Sequence, residues 1–355
     1  PGMVVVVRGD ASGDGRIYVE TPSFPRSGVP GAPIRLQAFA GERVIISHAN
    51  TIELDQSYLV LEGLIFDHQN QPSDAMDWDG SHNVMRRCEV RNGQRDGIDF
   101  VEVGTTMTDT LIEQSSIHDF KWLTSSSSFD AHCLVTDPYF LNLTIRDNTI
   151  YDCTGDGLQT YAGSEASVRS GSRGLLVERN TIYTTLGTRS QNALDIKDGS
   201  HIVVRGNVMY GFTGTKAVTF QRFHQDIVFE GNVIHDSDRG VEFRGDPSGV
   251  IQSDIVVAGN LIYDLGSSSD YAMKFDGVRD ARVYHNTMVN SPSVSIRVEG
   301  SGWDGGAFHS NLIVNSGAPS IAGLTNVAIS HNGWFQSSPK QLAGGGDITG
   351  TDPRF

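Results

Sequence analysis

The chain has 355 residues, 38% hydrophobic and 19% charged, with 40 Gly and only 12 Pro; this is too apolar for disorder and too poor in proline for a linker-rich chain. Its 42 acidic and 27 basic residues leave a net charge of −15, which disfavours a nucleic-acid binder because a phosphate backbone rewards a basic surface. No run of eighteen apolar residues is present to span a bilayer, so no membrane partner is expected.

The chain opens on Pro1, which reads as a processed or trimmed start. Met3 to Val7 is too short for a signal-peptide core and reads as a strand. Residues 1–35, rich in Gly, Pro and Ser, are expected to form an N-terminal coil and loop. A phrase then recurs: a short apolar strand, an Asn, any residue, and an apolar residue. Degenerate copies place Gly63, Cys88 and Ser115 at the Asn position. Full copies follow at Asn148, Asn180, Asn207, Asn232, Asn260, Asn286 and Asn311, with a weaker one at Asn332. The steps are 32, 27, 25, 28, 26, 25 and 21 residues, and no helical period interrupts them. Residues 333–355 are expected to close the last coil.

Each repeat carries a second short strand: DGIDF, HCLVT, DGLQT, NALDI, KAVTF, RGVEF and YAMKF. Small, apolar, any, apolar is the alternation of a strand. Short strands turned by Gly, Asn, Asp and Ser at a fixed period describe a parallel β-solenoid. The expectation is a single all-β domain over 1–355, a right-handed parallel β-helix of about 11–12 coils stacked at roughly 4.8 Å. Asn is expected to sit in the strained turn itself and to hydrogen-bond up a ladder. The irregular stretches Lys121 to Asp130 and Ala162 to Gly174 are expected to wall a groove. Cys88, Cys133 and Cys153 have no metal spacing, cannot all pair, and read as buried free thiols. His118, His201, His224, His235 and His285 follow the repeat turns and read as surface or turn histidines.

Aligning the second strands turns their outward positions into columns. One runs Asp99, Val135, Gln159, Asp195, Thr219, Glu242 and Lys274. Two residues on lie Val101, Asp137, Tyr161, Lys197, Gln221, Arg244 and Asp276. The entering turns hold Asp96, His132, Asp156, Asn192, Lys216, Arg239 and Tyr271. Carboxylates one coil apart repel unless a cation bridges them. Calcium accepts six to eight oxygens, so Asp156, Asp195 and a neighbour such as Asp130 form the expected metal site; Asp capping a turn is the competing use of the same residues. In NALDIKDG (Asn192 to Gly199), Asp195 and Lys197 are two apart and face outward together. A carboxylate beside a Lys base suits elimination from a uronate, where a proton α to a carboxylate is removed and the 4-linked sugar leaves. Lys197 is the expected base, with Arg222 or Arg239 supporting the substrate carboxylate. His132, Gln159, Tyr161, Asn192, Lys216, Arg244 and Lys274 are the expected substrate contacts, and His132 or Lys274 is an alternative base.

The repeats, with PIRLQAFAGERVIIS at Pro33 to Ser47 and DITGTDPRF at Asp347 to Phe355, resemble the β-helix superfamily of polysaccharide lyases and pectin-active enzymes. GDGLQ with Asp156 and NALDIK with Asp195 are similar to the active-site coils of calcium-dependent uronate lyases. The resemblance implies calcium as cofactor, an acidic polysaccharide as substrate, and a secreted or periplasmic monomer. It is incomplete: a tight run of consecutive Asp is absent, and Lys197 is followed one coil later by Thr219, Gln221 and Arg222 rather than by an aligned Arg. The expected function is therefore a uronate polysaccharide lyase. A β-helix hydrolase, a polyuronate C5 epimerase and a non-catalytic carbohydrate-binding solenoid are the alternatives.

Overall fold

The computed structural model describes residues 2–10, 14–100, 106–122, 130–137, 139–161, 172–246, 249, 251–266 and 271–354. Most of the two expected wall stretches, 121–130 and 162–174, and Val101 lie outside these residues. Among the described residues, apart from two 3-10 turns, Gly187–Arg189 and Lys340–Leu342, the regular structure is strand, amounting to about 12 turns of solenoid. Contacts group the chain into two compact units, Pro1–Leu186 and Gly187–Phe355.

Within each unit, strands of successive coils pair in parallel, and the sequence alignment predicted their register. In the first unit Asp77, Asp99, Val135 and Gln159 stack in one column. In the second the column is Asp195, Thr219, Glu242, Lys274 and Arg297. The residues between point inward. Phe220, Phe243 and Phe275 stack with centroids 5.0 and 5.5 Å apart, and Trp303 continues the stack at 4.7 Å. All four are fully buried. Burying each such ring contributes about 2–3 kcal/mol, which offsets the chain entropy of a fold whose pairings are all non-local.

The Asn ladder forms, with one correction to its geometry. The left-handed residue of each turn is not Asn but the residue before it: Asp147, Arg179, Gly206, Gly231, Gly259, His285, Ser310 and His331 all have φ between 54° and 63°. Asn then follows as a buried side chain beneath the turn. Asn232 shows the pattern: its Oδ1 accepts the Asn207 backbone N–H at 3.0 Å, while its Nδ2 donates to Val204 O at 2.9 Å and to Asn260 Oδ1 at 3.1 Å. The same bonds join Asn260, Asn286, Asn311 and Asn332. In the first unit they join Ser115, Asn148 and Asn180. The stop is Asp347, whose carboxylate accepts from Asn332 N at 2.8 Å, Trp334 Nε1 at 3.1 Å and Gly344 N at 3.0 Å. Gly63 was assigned one place early. Glu89 pairs with Ile65, so Leu64 matches Cys88, and Gly63, at φ 69°, is the left-handed residue before it.

Two of the three cysteines are not free thiols. Cys133 and Cys153 form a disulfide, and only Cys88 is a free, buried thiol. The two bonded residues are 20 apart in sequence, and the winding of the coil brings their Cα atoms to 5.6 Å. His118 is likewise not a surface residue. It is buried, stacks on Tyr151 at 4.4 Å, and meets Glu89 and Asp119 at 3.4 and 2.7 Å.

Candidate functional site

In the first unit the outward column is acidic. Asp74, Asp77 and Asp99 bring one carboxylate oxygen each within 4.8 Å of one another. Among the described residues this is the group of three able to hold a metal ion, and none of its members belongs to the expected set Asp130, Asp156 and Asp195. One oxygen of Asp77 and one of Asp99 are buried without a hydrogen-bond partner. Burial pushes the Asp77 carboxyl up to about 7, and Asp74 and Glu53 add to the effect. Burial likewise pushes Asp96 to about 7, and Asp99 to about 8 with help from Asp96 and Asp74. Arg95 faces this charge from 3.2 Å at Asp74.

Asp96 also orders the next turn, because its Oδ1 accepts the His132 backbone N–H at 2.6 Å. The His132 ring accepts the Asp156 N–H on Nδ1 at 2.8 Å. Nε2 therefore carries the ring proton and faces the Gln159 carboxamide at 3.3 Å, which must turn its oxygen towards it. Asp156 lies fully buried beneath this ring, 3.5 Å from Nδ1. Asp130 is exposed, and so is Tyr161, at 53%.

In the second unit the column is mixed in charge. Register slips between Ile196 and Asp198: Ile196 pairs with Phe220 and Asp198 with Phe223, so the bulge is at Gln221 and Arg222, opposite Lys197. Bulges re-aim side chains. This one is closed by His224, whose Nε2 donates to Ile196 O at 2.7 Å and Gln221 O at 2.8 Å. His224 is buried rather than at the surface, and burial lowers it to about 4, so it is neutral at physiological pH. Lys197 Nζ lies 3.2 Å from Asp195 Oδ2. Gln221 Nε2 donates to both Asp195 oxygens at 2.7 and 3.0 Å, and Gln221 Oε1 accepts from Arg244. Lys197, Asp195, Gln221 and Arg244 thus form one polar chain.

A second cluster surrounds Glu242, which is 2% exposed. Lys216 Nζ approaches it at 2.9 Å, Lys274 Nζ at 3.0 Å, and Tyr271 OH donates to it at 3.3 Å. Lys274 also meets Glu299 at 2.6 Å. Arg239 stands in register with Lys216. Arg222 is exposed at φ 75°, and among the described residues it has no hydrogen bond or ion pair. Asn192 is buried, and its Oδ1 accepts from Thr215 at 3.2 Å.

The sequence analysis missed Asp74, Asp77 and the clamping role of Glu242. DAMDWD (Asp74 to Asp79) carries the same alternation as DGIDF, and aligning the two would have exposed the acidic group. Two open grooves, about 670 and 530 Å³, lie on turns elsewhere. Glu42, Arg87 and Asp147 line the first, Asp264, Asn290 and Asn315 the second, and neither contains an expected site residue. The columns, not these hollows, concentrate the polar chemistry.

A family model described as the right handed beta helix region matches residues 141–333. No curated protein matches the chain. Among solved structures, the chain is similar to a mannuronic acid specific polysaccharide family 6 lyase from human gut microbiota: TM-score 0.70, 17% identity, covering 100% of this chain and 86% of that one. It is similar to the mannuronan C-5 epimerase AlgE6 A-module of Azotobacter vinelandii: TM-score 0.64, 13% identity, 99% and 92% covered. It is also similar to the family 28 exopolygalacturonase of Yersinia enterocolitica: TM-score 0.64, 12% identity, 93% and 73% covered. At these identities the likeness is one of fold. With parallel coils, an Asn ladder and a family match over more than half its length, the chain belongs to the right handed beta helix family.

Proposed function

We propose that the protein is a polysaccharide lyase that cleaves a uronic-acid-containing polysaccharide by β-elimination. One observation carries the reading. In a chain of net charge −15, the outer face of the second unit sets Lys197, Lys216, Arg239, Arg244, Lys274 and Arg297 against only Asp195, Glu242, Asp276 and Glu299. A locally basic strip in an acidic protein suits a substrate that brings its own carboxylates. The likeness to a mannuronic acid specific lyase and a mannuronan epimerase supports the same substrate class.

In this reading Lys197 takes the C5 proton, and Asp195 at 3.2 Å stabilises the ammonium that forms. The electron pair left at C5 becomes the C4–C5 double bond as the C4–O bond breaks, and the departing oxygen takes a proton. Arg239 or Arg222 neutralises the substrate carboxylate during this step. His132, Gln159, Tyr161, Asn192, Lys216, Arg244 and Lys274 are the proposed substrate contacts. A calcium ion suits Asp74, Asp77 and Asp99, where one buried oxygen of Asp77 and one of Asp99 lack a donor, better than the expected set. Asp195 is engaged by Lys197 and Gln221, and Asp156 is sealed under His132. When bound, calcium would supply positive charge against carboxylates.

The disulfide supports a secreted or periplasmic location, because disulfides persist in oxidising compartments. No helix among the described residues is long and apolar enough to cross a membrane. A monomer completes the proposal. A second reading, a glycoside hydrolase, is favoured by one feature: carboxyls held near 7 to 8 at Asp77, Asp96 and Asp99 are suited to donate a proton at neutral pH. The deciding assay follows ultraviolet absorbance of the unsaturated product on a panel of polyuronates, with calcium or chelator, alongside reducing ends. Absorbance supports elimination; new reducing ends without it support hydrolysis; neither leaves an epimerase or a binding solenoid.

A further inference from the structure

The Glu242 cluster does something the Lys197 chain does not. Glu242 is a carboxylate almost wholly removed from water, a costly placement unless cations and donors compensate it. Burial opposes its ionisation, yet Lys216 and Lys274 hold it below the ordinary carboxylate range. The two ammoniums sit on different oxygens, Lys216 on Oε2 and Lys274 on Oε1. They are anchored side by side by one buried group. Each ammonium has three N–H donors. Lys216 spends one on Glu242, and Lys274 spends one on Glu242 and one on Glu299. Two donors of Lys216 and one of Lys274 remain for a ligand. Their side chains keep 21% and 12% exposure, enough to be met from solvent. With Arg297 beside Glu299, three cations face two carboxylates, an excess of one positive charge.

The spacing is equally informative. Asp195 pairs with Thr219 and Thr219 with Glu242, so Glu242, the centre of the clamp, lies two coils beyond Asp195 and Lys197. Two coils are about 10 Å. One coil is close to the rise of one sugar in an extended 1,4-linked chain, so two coils correspond to two sugars.

We propose that Lys216 and Lys274, positioned by buried Glu242 and Tyr271, form a second carboxylate-binding subsite, two sugars along from Lys197, for a linear polyuronate lying along the stacking direction. This rests on the reading of the substrate as a polyuronate. Glu242 is a positioning residue that presents two ammoniums to a substrate carboxylate without touching it. A purely structural ion-pair ladder would stabilise the sheet and be indifferent to substrate length.

The test uses calorimetric binding of oligogalacturonates and oligomannuronates of two to six sugars, at low and high salt, to the wild type, Lys216→Gln, Lys274→Gln and the double variant. The wild type should gain affinity abruptly once the oligosaccharide spans both subsites. The double variant should lose that step, bind the hexasaccharide about tenfold or more weakly, and show a shallower salt dependence. The Lys→Arg variants should recover most of the affinity. Thermal melts check that the variants fold. Hexasaccharide affinity unchanged in the double variant, or affinity independent of length in the wild type, overturns the subsite. Product absorbance separates the two ideas. Elimination with an unaffected double variant sinks the subsite and spares the lyase. A lost length step without elimination keeps the subsite and sinks the lyase. No binding of any uronate by the wild type sinks both.

Discussion

Lowering the pH from about 8.5 to 6 should stabilise the first unit, because Asp77, Asp96 and Asp99 hold their protons there far more tightly than an unfolded chain does. Burial raises them from 3.8 to about 7, 7 and 8. Between those limits the folded state binds more protons than the unfolded one, so stability falls as pH rises from about 4 and levels off above about 8. Over the window from 6 to 8.5, Asp99 accounts for roughly two pH units and the other two for roughly one each. At about 1.36 kcal/mol per unit the ceiling is about 5 kcal/mol. Asp77 is partly open to solvent, which screens its share, and the Asp99 shift counts charge on Asp96 and Asp77 that is itself neutralised at low pH, so the expected change is on the order of 2–3 kcal/mol. For a unit of this size that is on the order of 5–10 °C in Tm. The assay is calorimetric melting at constant ionic strength, of wild type and Asp99→Asn. The variant should melt higher than wild type at pH 8.5 and show a flatter profile. His118, raised by Glu89 and Asp119 against the opposing effect of burial, also loses stability as pH rises, so the comparison with Asp99→Asn isolates the acidic group. A wild-type Tm that is flat or rises from pH 6 to 8.5, or an Asp99→Asn profile parallel to it, refutes the reasoning. Millimolar calcium at pH 8.5 should recover the lost Tm, and chelator should remove the gain.

Lys197→Ala should abolish elimination while leaving the melting temperature within a few degrees, since the Lys197 side chain is partly exposed; residual product formation above background moves the base elsewhere. Asn260→Ala should lower stability by about 2–4 kcal/mol, because the buried N–H of Asn232 and the carbonyl of Phe229 lose their partners; denaturant melts give the number, and a change below 1 kcal/mol argues against the ladder as a source of stability. Reducing the Cys133–Cys153 bond should cost about 2–4 kcal/mol and lower the Tm; a Cys133→Ala, Cys153→Ala variant melting like the oxidised protein contradicts this.

What could be read in advance follows from the period. A repeat near 26 residues with one Asn per copy specifies stacking, and stacking specifies which residues share a column, so Thr219, Glu242 and Lys274 were aligned before any coordinates. Side-chain partners within a column were not legible. That Asp195 meets Lys197 and Gln221 depends on rotamers and on the bulge at Gln221 and Arg222, and one extra residue in a strand leaves no mark in the alternation. Degenerate copies failed for a related reason. Without an Asn to mark the rung, Gly63 drew the assignment because Gly is the usual left-handed residue, and the true rung is Leu64. The disulfide was obscured because residues 20 apart meet only once the chain is wound. DAMDWD went unaligned because its flanking repeat is among the most degenerate.

The ladder has a direction, and that gives it a grammar. From Asn232 to Asn286 every Asn passes a side-chain amide N–H forward and receives one from behind, so any of these rungs can follow any other. A copy could be inserted or deleted between rungs without leaving a donor or acceptor stranded. Only the forward end is different: Asn332 has donors to spend and no further amide to receive them, and Asp347, an acceptor with nothing to pass on, takes them. Repeat number is thus chemically free, while termination is not. What ends the ladder is a single carboxylate.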